Sequence, residues 1–141
     1  MFRFTALATA ALLSLSISAQ AAGKHPASHY NECAATSAAL SAFLETLSES
    51  GAKIPQEGMD ATVKASKIFV GLALQAYKEE GRSDGDALVR NALTRKGQDV
   101  GAMIKVDGIK KTGLTLHRGV VQCVQKTDAG EFARMGSLLG L

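Results

Sequence analysis

Residues 59–80 read MDATVKASKIFVGLALQAYKEE. On a helical wheel at 100° per residue, Lys64, Lys67, Gly71, Gln75 and Lys78 collect in a strip about 80° wide. Val63, Ala65, Ile68, Phe69, Val70, Leu72, Ala73, Leu74, Ala76 and Tyr77 fill most of the rest. A surface helix carries one apolar stripe, but this one is apolar over roughly two-thirds of its circumference. It therefore needs neighbours on at least two sides. Asp60 is the expected N-cap, and Gly81 stands where a left-handed residue would stop the helix. Three lysines and two glutamates argue against a membrane span, although about 22 residues would almost suffice for one.

Working outward, an earlier helix is expected over 28–50, where Tyr30, Cys33, Ser37, Leu40, Leu44 and Leu47 recur at alternating spacings of three and four. That is a continuous apolar seam. Ser28 is its expected N-cap and Gly51 its stop. GAKIPQEG, residues 51–58, is a connection broken by Pro55 and two glycines. On the other side, Ser83 and Asp86 resemble a capping box. A third helix is expected from 84 to about 96. Val100 and Ile104 extend its seam towards 106, past Gly97 and Gly101, which either permit a close crossing or weaken the helix. Residues 107–113, DGIKKTG, read as a turn. Residues 114–126 mix strand and helix signals. They are assigned to a helix because no second strand offers itself as a partner. Asp128 and Glu131 cap a last short helix, 129–139, with Phe132, Met135 and Leu139 on its apolar stripe. The expected fold is all-α: a compact bundle of four to five helices around a nearly all-round apolar central helix.

Residues 1–21 have the form of a secretory leader. Arg3 supplies the positive start, 6–17 an apolar run, and Ala19-Gln20-Ala21 a small-residue cleavage site. Residues 22–141 are then one helical domain, expected in a bacterial periplasm or secreted, with no transmembrane segment after cleavage. An exported chain with two cysteines, Cys33 and Cys123, most often joins them. Cys33 lies on the seam of the first helix. Cys123 falls with Leu116 and Val120 on the core-facing seam of 114–126. The expected bridge clips these two helices together, with Cα atoms about 4.4–6.8 Å apart. Closing a loop of about 90 residues is worth about 4.6 kcal/mol in the chain-entropy model.

Charge is uneven. Residues 22–81 carry 5 basic and 7 acidic side chains, and 82–141 carry 10 and 6. Arg90, Arg95, Lys96, Lys105, Lys110, Lys111 and Arg118 form a candidate basic surface for an acidic partner. No aromatic residue is interleaved among them and the chain has no Trp, so no stacking platform for nucleic acid is expected.

The remaining chemistry is sparse. His25 and His29 are four apart, a metal-ligand spacing on a helix. Pro26 lies between them and should start the helix after His25, so no metal site is expected and no cofactor is assigned. His117 and Cys123, six apart, would face different sides of a helix. No phosphate loop, Gly-x-Ser-x-Gly, His-Glu-x-x-His or calcium-loop pattern occurs. In size, compartment and helix content the chain resembles periplasmic immunity proteins and small stress chaperones. No motif carries that resemblance, and no residue role follows from it. Cytochrome c′-like bundles are similar in architecture, but the Cys-x-x-Cys-His that attaches their haem is absent.

The function expected from these observations is non-enzymatic binding of another periplasmic protein, as an inhibitor, immunity or accessory factor. One alternative is a small-molecule or metal carrier with an apolar cavity between helices. Another is an enzyme whose residues meet only in the fold, for which His117, Arg118 and a carboxylate in one pocket would be the sign.

Overall fold

A computed structural model describes residues 25–141, so the expected leader, 1–21, lies outside the described residues. Among these residues are four helices and no strand: α1 Ala27–Glu49, α2 Gln56–Glu79, α3 Gly85–Lys126 and α4 Ala129–Leu138. None is long and apolar enough to cross a membrane.

Helix α2, the stretch that decides the fold, has the neighbours its wheel requires. Ala65, Ile68, Phe69, Leu72, Ala73, Ala76 and Tyr77 are buried, in one core with Tyr30, Cys33 and Ala34 of α1. On another side α4 lies across Gly71. A Cβ there would stand 2.6 Å from Met135 Sδ, so the missing side chain lets the short helix seat closely. Lys64, Lys67 and Lys78 stay exposed.

Helix α1 is enclosed as well. Cys33, Ala34, Ala35, Thr36 and Ser37 are all buried, and five successive residues exceed one 3.6-residue turn. The helix therefore has neighbours all round at that level. It packs extensively on both α2 and α3, which touch each other much less. Small side chains make this possible by letting neighbouring backbones approach. A Cβ on Gly119 would meet Thr36 Cγ2 at 2.9 Å, and one on Gly113 would meet Phe43 Cε1 at 2.8 Å.

Helix α3 departs most from expectation. It does not end near Lys96, nor weaken at Gly97 and Gly101, which are exposed with nothing within 4 Å of a Cβ. The Lys96 ammonium is paired with Glu32 of α1. The turn expected over 107–113 contracts to one residue, Gly108, at φ 80 and ψ 168. That backbone region is essentially reserved for glycine, and the helix resumes at Ile109.

The contacts show that the chain reverses there. Asn31 Nδ2 donates to Leu88 O at 3.3 Å, and Val100 and Ile104 share a core with Leu40, Phe43 and Leu44. After the break Gly113 meets Phe43, Gly119 meets Thr36 and Cys123 joins Cys33. One arm (85–107) climbs α1 and the other (109–126) returns along it.

Several caps also differ. Helix α1 begins at Ala27 after Pro26 rather than at Ser28, and α2 begins after Pro55, neither with a cap from its own N-cap side chain. Asp60 is an interior residue that accepts from Gln56 Nε2 at 2.8 Å. The Ser83–Asp86 box does not form. Asp84 is the N-cap residue of α3, and its carboxylate turns instead to Arg82, at 2.7 and 2.9 Å. Asp128 does cap α4, accepting from Glu131 N at 2.9 Å. Gly51 and Gly81 stop their helices at φ 94 and 78. The backbone N–H of Ala52 donates to Leu47 O, and that of Arg82 to Tyr77 O, closing the six-residue loops of the glycine C-cap.

Candidate functional site

The disulfide corner gathers the densest chemistry. Cys33 and Cys123 are bonded, with Cα atoms 5.6 Å apart, inside the range a bridge permits. Helix α1 starts after Pro26, as the sequence suggested, yet His25 still folds back onto it. Its ring stacks on His29 with centroids 4.1 Å apart. His25 Nε2 lies 2.8 Å from Lys126 O. A carbonyl only accepts, so Nε2 carries a proton. The Tyr30 hydroxyl donates to Glu131 Oε2 at 3.1 Å and accepts from the His25 backbone N–H at 3.4 Å. These bonds tie the start of α1 to the end of α3 and the first turn of α4.

His29 Nε2 lies 3.7 Å from Cys33 Sγ. Burial holds the His29 imidazole below its usual titration range, helped by the positive ends of His25 and Lys126. Burial pushes the Tyr30 phenol up, and the Glu131 carboxylate adds to the effect. The histidine beside the bridge is thus His29, four residues before Cys33, a spacing readable in the sequence. His117 is exposed on the outer face of the returning arm. With the bridge closed, no group of three His, Cys, Asp or Glu side chains among the described residues can hold a metal ion.

The basic residues lie along both arms of α3. Arg90 and Arg95 are exposed on the climbing arm of α3, and Arg118 on the returning one. Lys96 is partly covered and paired with Glu32. Lys105, Lys110 and Lys111 flank the Gly108 elbow, where Lys111 also reaches Asp107 at 2.7 Å. Between them Val106 is 85% exposed and Ile109 53%. Leu114, Val121 and Val124 are exposed on the returning arm, at helical spacings of seven and three from one another.

Shallow grooves flank the bundle. A polar one of about 150 Å³ lies between α1 and α3, lined by Asn31, Glu32, Arg95, Lys96 and Asp99 among others. An apolar one of about 360 Å³ is lined by Ser66, Lys67, Val70, Gly71 and Leu74 of α2 with Leu139 and Leu141. Neither includes His117 or Arg118.

No known protein family matches the chain, and neither a curated protein nor a solved structure is similar to it.

Proposed function

We propose that this is an exported, non-enzymatic protein that binds another protein through the elbow of α3. The observation that carries the reading is the exposure of Val106 and Ile109, 85% and 53%, on either side of Gly108, with Lys105 and Lys110 beside them in sequence. Fully burying a side chain of this size is worth about 1.5–3 kcal/mol, and adjacent exposed apolar residues rimmed by charge mark interaction surfaces. The lysines select an acidic surface on the partner and speed the encounter. The backbone on both sides of Gly108 is already helical before binding, which lowers the ordering entropy lost.

A photo-crosslinking residue at position 106 should capture one discrete protein in the producing cell, whereas one at exposed Glu57 should not. Reversing Lys105 and Lys110 to glutamate should abolish the adduct. Equal capture from both positions, or an adduct indifferent to charge reversal, would remove the basis of the reading.

A second reading, a carrier of small apolar molecules, draws on the groove between Val70, Leu74, Leu139 and Leu141. Native mass spectrometry of protein from its own host separates the two, by showing a bound small mass or none.

A further inference from the structure

The bridge occupies both sulfurs of a corner that already has the composition of a thiolate–imidazole metal site. We propose that the reduced protein binds one thiophilic divalent cation, zinc or its analogues, through Cys33, Cys123 and His29. The site is mutually exclusive with the disulfide.

Three observations carry this. His29 Nε2 stands 3.7 Å from Cys33 Sγ. Tetrahedral zinc, with Zn–S of about 2.3 Å and Zn–N of about 2.0–2.1 Å, sets its sulfur and nitrogen ligands about 3.6 Å apart. The imidazole therefore already stands at ligand-to-ligand distance from one sulfur. The second sulfur comes from a facing helix, with Cα atoms 5.6 Å apart, so two packed elements rather than a loop hold the pair. Finally, the His29 ring is supported. His25 stacks on it at 4.1 Å, and His25 is itself held through Nε2 by Lys126 O, so the ring of the proposed ligand is packed against an anchored neighbour.

The chemistry balances with a dithiol reductant. Its thiolate attacks one sulfur of the bridge and the other sulfur leaves as a thiolate. A second exchange frees the remaining cysteine and closes the reductant's own disulfide. Two electrons and two protons have then passed to the protein. The cation displaces both thiol protons, giving two metal–sulfur bonds and one metal–nitrogen bond.

Cobalt(II) is the probe, because thiolate ligation gives near-ultraviolet charge-transfer bands and tetrahedral geometry gives visible d–d bands. Full-length protein would be reduced with a phosphine, desalted without oxygen and titrated with cobalt chloride. One equivalent should saturate both sets of bands, and the oxidised protein should show neither. His29→Ala should weaken binding about tenfold or more, and Cys33→Ser with Cys123→Ser should abolish the charge-transfer bands. Helical circular dichroism, recorded on each sample, reports folding separately. The proposal is overturned if reduced wild-type protein shows no charge-transfer band. It is equally overturned if His29→Ala titrates like wild type, or if the reduced chain loses its helices and cobalt does not restore them.

Discussion

Glu80 Oε1 accepts a hydrogen bond from the backbone N–H of Ala27, 2.8 Å away. The residue that ends α2 thereby caps the first turn of α1, which Pro26 leaves without a side-chain partner. A carboxylate there also faces the positive end of the helix dipole. Glu80→Ala should lower stability by about 0.5–2 kcal/mol, as loss of a helix cap does. Glu80→Gln keeps an acceptor and should cost less. Urea denaturation of the three proteins measures the order, and equal stability of all three would show that the contact carries no weight.

Gly108→Ala should destabilise by about 1–3 kcal/mol, because φ 80 with ψ 168 strains any residue with a Cβ. The exposed helical glycines should behave in the opposite way. Gly97→Ala and Gly101→Ala meet no atoms and should each stabilise by about 0.5–1 kcal/mol. Thermal melts of the three variants should fall on opposite sides of wild type.

Thr112 and Ser37 are fully buried, and their hydroxyls have no hydrogen-bond partner. An unsatisfied buried hydroxyl costs about 1–3 kcal/mol. Thr112→Val and Ser37→Ala should therefore be neutral or stabilising, unlike most core substitutions. A loss above 1 kcal/mol in chemical denaturation would show a partner for the hydroxyl concerned.

The lowered His29 pKa predicts an acid-sensitive corner. With the bridge closed, the folded state binds a proton less readily than the unfolded chain, whose histidine titrates near 6.5. Stability is then complete above that value and falls as pH drops through it towards the folded pKa. His29→Gln should flatten this part of the stability profile. The measurement is the urea midpoint between pH 7.5 and 5, and parallel profiles for the two proteins would count against the assignment.

The helices and the bridge were legible in the sequence because they rest on periodicity and on cysteines placed on two core-facing seams. Position 108 was not. Asp107-Gly108 reads as the start of a loop, and nothing local says that Ile109, Lys110 and Lys111 re-enter a helix at once. The caps failed for a related reason. Ser28, Asp60 and Ser83 have the right chemistry, but α1 is capped by a carboxylate 53 residues away from Ala27, Asp60 lies inside α2, and the Asp84 carboxylate at the start of α3 turns to Arg82. Enclosure of α1 was equally hidden, since alanines, serine and threonine mark a close crossing only once Gly113 and Gly119 are seen opposite. At the disulfide corner, residue types were visible but their meeting was not. His25 lies beyond the helix start and returns through a hydrogen bond to Lys126, 101 positions later.

Because Cys33 and Cys123 are 90 positions apart, the bridge encircles α2, the elbow and both connections between the first three helices. A protease that nicks the exposed chain at Gly108, or in the 51–55 or 80–84 segments, adds one water and separates nothing. The pieces stay linked and packed until a reductant arrives. A cut near Thr127 differs, because it leaves α4 tethered by packing alone. Most backbone breaks inside that loop would thus be survivable, and among the described helices the one lying wholly outside it is the short helix seated on Gly71.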